Sequence, residues 1–480
     1  MSVGTRLLII LSFLLSVQAH GAPRTVFVQL FEWSWNDIAN ECETYLGPSG
    51  FSAVQVSPPH EHIMWQKSPW WERYQVVSYN LNSRSGNEAE FASMVRRCKK
   101  AGVDVYADAV INHMTGIPGG TGFGGTSFTH YNYPGLYSPN DFHHCGRNGN
   151  DNIVDYSNRY EVQNCELVDL ADLATESNSV RSRIADYLNH LLDLGVTGFR
   201  IDAAKHIPAA DLVAIYAKLK RSAYIYHEVI YDPNGPIQYS EYLPYGDVMA
   251  YDYPRMLSRG IKHKNPEALN KISEPFPESK DSIVFVTNHD LERHGDPEIL
   301  SYNNADQRLY RLAQVFMLAW PFGYPQLYSG FKFNNFDDGP PLTNELKSSP
   351  VFDGGGNCLA PWTCEHRLPE VAAMVQFRNQ TDQAFFVNDW WTNGRDQIAF
   401  GRGSLGFVVL NYSNQSLTKE FSTSLPAGEY CNIVGGSYNL RDKSCAETVE
   451  VNARGILKAK ISPMSALVLL KTSSAKFRKK

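Results

Sequence analysis

The chain has 480 residues, more than one ordinary domain holds, so one large domain with one or two smaller units is expected. A hydrophobic content of 43% is that of a soluble globular protein, and 44 basic against 50 acidic residues leave a formal net charge of −6. That balance argues against a nucleic-acid partner and names no specific ligand.

From the N-terminus, Arg6, the apolar run Leu7 to Leu15 and Val17-Gln18-Ala19 read as a secretory signal over residues 1–19, cleaved after Ala19. The run is far shorter than the ~20 residues a membrane span needs, and no later run is long enough to span a bilayer. A secreted protein with no membrane partner is expected. Eight cysteines fit an oxidising compartment, and their spacing alone leaves about a hundred pairings open.

Residues 25–33, 51–58 and 103–108 read as strands, with a helical pattern over Glu88 to Lys100 that stops near Gly102. Five further strands are predicted at 198–202, 223–230, 247–253, 282–287 and 323–329. Strand–helix alternation of this kind predicts a parallel sheet, and eight strands predict a TIM (β/α)8 barrel over 20–113 and 171–381. Between them, 114–170 is rich in Gly, Asn, Tyr and Pro and is too long for a bare loop, so it reads as an excursion domain. Residues 382–472 read as an all-β C-terminal domain, with strands at 397–401, 406–412, 428–433 and 466–470, followed by a basic tail over 473–480. Asn379, Asn411 and Asn414 begin glycosylation sequons.

The chemistry centres on Gly198-Phe199-Arg200-Ile201-Asp202-Ala203-Ala204-Lys205-His206. Arg200 and Asp202 stand two apart on a strand and share a face. Burying both is costly unless they pair or face a polar cavity. Alone, the motif reads better as a structural ion pair closing a strand end. It has companions: the stretch from Asp108 to His113, His227-Glu228-Val229-Ile230, and the stretch from Phe285 to Asp290. Each is an apolar strand ending in polar residues. With Phe31-Glu32-Trp33, Gly47-Pro48, Trp70-Trp71-Glu72-Arg73-Tyr74-Gln75 and Cys364-Glu365-His366-Arg367, they resemble the α-amylase family of glycoside hydrolases. The match runs from Thr25 to Leu470 and is nearest to animal-type and related bacterial members.

The resemblance implies endo-acting, retaining hydrolysis of α-1,4-glucosidic bonds in starch, glycogen and related oligosaccharides. Asp202 is implied as nucleophile, Glu228 as acid/base and Asp290 as the third carboxylate. Glu228 follows an apolar strand, so burial is expected to raise its pKa. Arg200 is expected to orient the pair. His113 and His289 are expected to bind sugar, Lys205 and His206 to line the leaving-group side, and Trp70, Trp71 and Tyr74 to form a stacking platform. Calcium is implied at the Asn112 side chain, the Asp172 carboxylate and the main-chain oxygens of Gln163 and His206. Zinc is not expected, because no close His/Cys spacing appears. The implied disulfides are Cys42–Cys98, Cys145–Cys165, Cys358–Cys364 and Cys431–Cys445. The resemblance also implies a monomer.

Several positions depart from the family pattern. His227 stands where glutamine is usual, Tyr231 where aspartate is usual, and the segment after Asp290 lacks a glycine-rich loop. Gln326 occupies a place where chloride-activated members carry a basic residue, so Arg200, Asn288 and Gln326 read as a vestigial chloride site and chloride is not required. Two rival readings are a catalytically dead glycan-binding paralogue and a maltase. The three intact carboxylates oppose the first; the C-terminal domain and the tandem tryptophans oppose the second.

Overall fold

A computed structural model describes residues 25–303, 306–435, 438, 439, 442 and 444–473. The predicted signal and positions 474–480 of the predicted tail lie outside the described residues. Eight parallel strands close a barrel: β1 Phe27–Leu30, β2 Ala53–Val56, β3 Asp104–Ala109, β4 Gly198–Ile201, β5 Tyr224–His227, β6 Asp247–Met249, β7 Ser282–Val284 and β8 Tyr324–Ser329. Each pairs with its chain neighbours, and β1 closes on β8. Helices such as Glu88–Lys100 and Gln307–Ala319 lie between strands, the first opened by a capping box between Asn87 and Glu90.

The strands are shorter than their apolar runs. Glu32 takes a left-handed φ of 66° just after β1, and the helix Asp252–Lys262 begins soon after β6. Pairing stops where the chain turns outward, and the polar ends of the predicted strands become loops. Inside the barrel, Phe27, Ala53, Tyr106, Tyr226, Met249 and Ile283 pack together. Register then sets Asp108 of β3 beside Arg200 of β4, and Arg200 beside Tyr226 of β5. Gln326 lies within β8 and is buried.

Between β3 and the helix Asn178–Leu194, the chain makes a hairpin of Gly119–Thr121 with Ser127–Thr129 and a short helix Arg159–Asn164. Its exits are tied backbone to backbone, Met114 N to Ala171 O at 2.9 Å and Leu173 N to Asn112 O at 3.0 Å. Disulfides join Cys42 to Cys98, Cys145 to Cys165, Cys358 to Cys364 and Cys431 to Cys445.

The C-terminal region holds two four-stranded antiparallel sheets. One orders Asn388–Thr392, Gln397–Arg402, Gly406–Asn411 and Ser465–Leu470; the other orders Leu417–Ser422, Ile456–Ile461, Thr448–Val451 and Gly428–Cys431. The four strands absent from the sequence reading are Asn388–Thr392, Leu417–Ser422, Thr448–Val451 and Ile456–Ile461. Ile456–Ile461 alternates buried Leu457, Ala459 and Ile461 with exposed Lys458 and Lys460, so it lacks the continuous apolar run that marks its neighbours. Two of the three sequon asparagines are buried. Asn379 accepts from Thr25 and donates to Gly50 O, and Asn411 donates to Gln415 O and Ser462 O, which leaves only Asn414 exposed.

The two regions meet at a pair of buried guanidiniums. Arg402 donates to Ala319 O at 2.6 Å, Thr381 O at 3.0 Å and Ala384 O at 3.0 Å, while Arg378 donates to the carbonyls of Trp320 and Gly323. Ala319 ends a helix, where the macrodipole favours a cation. Burial first, and Arg378 second, bring the Arg402 pKa down to about 9. Arg402→Leu should therefore strand three buried carbonyls and lower stability by about 3 kcal/mol. Urea unfolding followed by circular dichroism checks this; an unchanged midpoint would contradict it.

Candidate active site

β4 ends in Ile201, and the chain then turns through Ala203 at a left-handed φ of 48°. That turn leaves Asp202 at the strand end and aims the Ala203 N–H at Glu228 Oε2, 2.8 Å away. Arg200 Nη1 lies 2.7 Å from Asp108 and 2.8 Å from Asp202, and Nη2 lies 2.8 Å from Glu228 Oε1. Tyr251, just past β6, donates its hydroxyl to the same Glu228 oxygen at 2.6 Å, and Asn288 Nδ2 donates to that hydroxyl at 3.2 Å. Asp290 follows β7 in the same group. Carboxylates from four strand ends thus converge on one cation at the C-terminal face of the barrel.

Charge balance governs this cluster. Burial pushes Asp202 well above its ordinary value; Arg200 opposes this, and Glu228 and Asp108 add to it. Asp290 is raised to about 7 by burial and then by Glu228. Glu228 does not behave as the sequence suggested. Burial acts upward on it, but Arg200, the Tyr251 hydroxyl and the Ala203 N–H outweigh burial, and its carboxyl lies below the usual value.

The histidines are neutral by burial. Tyr74 donates to Asp108 at 3.0 Å, so its hydroxyl accepts from His289 Nε2 at 2.9 Å, and Gln29 donates to His289 Nδ1 at 3.1 Å. His113 Nε2 donates to Tyr74 O at 3.0 Å, and burial lowers its pKa to about 4. His206 Nδ1 donates to Val162 O at 2.8 Å, and Lys205 Nζ donates to Ile230 O at 3.3 Å. The tandem tryptophans divide. Trp70 is buried edge-on against His289, whereas Trp71 stays partly exposed and donates to Asp337. Exposed Trp65 lies beside Trp71, with ring centres 6.4 Å apart, and was not anticipated from the sequence.

Of the residues read as calcium ligands, Asn112 Nδ2 donates to Asp172 Oδ1 at 3.3 Å. Gln163 and His206 lie near one another, since the His206 ring bonds the carbonyl of Val162, the residue before Gln163. Among the described residues no group of three or more His, Cys, Asp or Glu is arranged to hold a metal. A site of one amide, one carboxylate and two carbonyls would not form such a group. The donor chemistry does fit a hard cation: all are oxygens, and burial raises the Asp172 pKa to about 7, the mark of a carboxylate short of positive charge. His143 Nδ1 supplies part of that charge at 2.7 Å.

The residues read as a vestigial chloride site are all buried. Gln326 Nε2 donates to Gln55 Oε1, an oxygen that Tyr226 also reaches at 2.7 Å. Lys332, the nearby cation, is exposed on the surface. Sequence reasoning passed over Asp108 and Tyr251. Asp108 was legible as an acid inside an apolar strand. Tyr251 was not, because only the closed barrel brings it to Glu228.

Two family models match the chain: the α-amylase catalytic domain over residues 138–242 and the α-amylase C-terminal all-beta domain over 390–472. An α-amylase of Tribolium castaneum is 43% identical, covering 92% of each chain. One of Pecten maximus is 42% identical, covering 88% of this chain and 87% of its own. Among solved structures, α-amylase I of Eisenia fetida superposes with a TM-score of 0.84 at 36% identity, covering 93% of this chain and 97% of its own; a mutant of it, solved with maltohexaose, gives 0.83. The closed parallel barrel superposes on these solved α-amylases, and in this chain carboxylates gather at its C-terminal face, the architecture of a barrel glycoside hydrolase. The chain belongs to the α-amylase family.

Proposed function

We propose that this enzyme cleaves α-1,4-glucosidic bonds of starch-like glucans internally, with retention of configuration. The observation that carries the reading is Arg200 holding Asp202 and Glu228 at the mouth of the barrel, 2.8 Å from each, with Asp290 beside them. Retaining hydrolysis needs a nucleophile and an acid/base on two nearby carboxyl groups. Motif position gives Asp202 the first role and Glu228 the second. The two titrate as a pair. Positive charge developing on the sugar favours ionised Asp202, and water leaving the cleft favours neutral Glu228, so bound substrate draws the shared proton towards the acid. Asp290 holds sugar hydroxyls, and the neutral histidines His113 and His289 join it when bound sugar displaces their bonds to Tyr74. Arg200, Lys205 and His206 complete the contacts, with Tyr74 and Trp71 as open aromatic faces and Trp70 as the wall behind them. The maltohexaose bound by the earthworm relative supports a glucan substrate.

The four disulfides, and the lack of any described helix able to cross a membrane, fit the proposed secretion, with residues 1–19 as signal. We retain 114–170 as an excursion domain between barrel segments 20–113 and 171–381, 382–472 as the C-terminal domain, and a monomeric state. Nuclear magnetic resonance of first-formed products should show the α-anomer, and an initial β-anomer would overturn the mechanism. Asp202→Asn and Glu228→Gln should each lower kcat by several orders of magnitude with the melt unchanged.

Asn112, Asp172, Gln163 and His206 would hold calcium, which supplies charge to a buried carboxylate and ties segment 114–170 to the barrel. Binding to the folded state alone stabilises it by mass action. Chelation should lower the melting temperature, and Asp172→Ala should reproduce the loss. A melt unchanged after removal of the metal, verified by elemental analysis, would rule the site out.

Chloride independence follows from Gln326. A neutral amide takes the place of a second cation, and its Nε2 is committed to Gln55. An anion there would face Arg200 alone, already ringed by carboxylates. Activity in chloride-free buffer should match that in added NaCl, with nitrate as the ionic-strength control. Saturable activation specific to chloride is the opposing result.

A further inference from the structure

We infer that Tyr251 is a positioning residue for the acid/base carboxyl: its hydroxyl, locked as a donor by Asn288, fixes Glu228 and favours its carboxylate form. The inference rests on Glu228 being the acid/base.

The geometry leaves the phenol little choice. Asn288 Nδ2 can only donate, and it reaches the Tyr251 oxygen at 3.2 Å. Asn288 is itself oriented by its carbonyl oxygen, which accepts from Leu291 N at 2.9 Å. With a lone pair so occupied, the Tyr251 hydrogen points to Glu228 Oε1 at 2.6 Å, a short charge-assisted distance. Tyr251 is 6% exposed, and its ring packs edge-on against Phe285 at 5.5 Å, so the hydroxyl is aimed by packing. The other Glu228 oxygen is held by the Ala203 N–H. Glu228 is thus gripped at both oxygens by donors from β4 and β6, on either side of its own strand.

Other charged and titratable groups face it too. Asp108 and His113 come from the β3 side, Arg200, Asp202 and His206 from β4 and its turn, and Asp290 from β7. Arg200 Nη2, though 2.8 Å away, is not aligned for a hydrogen bond to Glu228, so Tyr251 and Ala203 are the two groups that bond it directionally. Tyr251 is also the only one of the two that a side-chain change removes. In the second half of a retaining cycle the acid/base must be an anion that activates water. A fixed donor supports that form, and opposes too firm a hold on the proton in the first half.

Tyr251→Phe keeps the ring and deletes the donor. A net hydrogen bond of about 1 kcal/mol corresponds to a shift of roughly 0.7 pH unit. The alkaline limb of kcat/KM, which reports loss of the proton that Glu228 shares with Asp202, should move upward by up to that amount. kcat should fall several-fold to tenfold with KM within about twofold. A ring-fluorinated tyrosine at 251, nearly the same size but a stronger donor, should move the limb down instead. A purely structural tyrosine would leave both limbs in place, and superimposable profiles for the two variants overturn the inference. Glu228→Gln separates this from failure of the underlying reading. If that variant keeps most of its rate, the acid/base assignment falls. If it is inactive while the two Tyr251 profiles coincide with the parent, only the role of Tyr251 falls.

Discussion

One guanidinium carries the charge of the active centre. Arg200 is 1% exposed, and around it stand Asp108, Asp202 and Glu228, each within 2.8 Å. Bringing several carboxylates out of water around one cation is unfavourable unless geometry and additional donors compensate. The compensation is visible in the Ala203 N–H, the Tyr251 hydroxyl and the Tyr74 hydroxyl, each directed at one carboxylate oxygen. What the donors do not cover appears as raised proton affinity on Asp202 and Asp290. Under the proposed mechanism the site must hold and release a proton near neutrality, and that deficit would serve it.

The barrel makes this arrangement possible because strand register is fixed. Asp108 and Arg200 are register partners, so their meeting is set by backbone pairing rather than by side-chain search. The strands are short and buried, and they end abruptly at residues with unusual backbone, Glu32 after β1 and Ala203 after β4. A left-handed residue costs conformational energy, and Ala203 takes that conformation where β4 gives way to Asp202 at the cleft. The packed layer around Phe27 at the other end supplies rigidity, its Tyr106 and Tyr226 hydroxyls bonded to Tyr324 and Gln55.

Buried positive charge recurs away from the site with a different solution. Arg378 and Arg402 have backbone carbonyls as partners where Arg200 has carboxylates. Carbonyl partners cannot titrate, so any pH dependence of this junction comes from the guanidiniums alone, on the alkaline side, whereas the Arg200 cluster is surrounded by carboxyl groups that titrate themselves. The same residue type therefore serves as a clamp between regions and as the centre of a carboxylate cluster.

The eight barrel strands, the helix Glu88–Lys100 and the motif carboxylates were legible in the sequence, because each is a local pattern: an apolar run closed by polar residues, or a cap and a stop. Asp202, Glu228 and Asp290 stand out for the same reason. Strands that alternate buried and charged residues, such as Ile456–Ile461, were not legible, since half their side chains face water. Nor was the burial of Asn379 and Asn411, whose sequons look like any exposed acceptor. What only the tertiary structure decided is how the groups meet: Asp108 on Arg200, Tyr251 on Glu228, and a proton balance that lowers Glu228 where local sequence pointed upward. Burial is a property a strand announces by itself, but the hydrogen bonds and charges that offset it come from residues distant in sequence, brought within 3 Å only when the barrel closes.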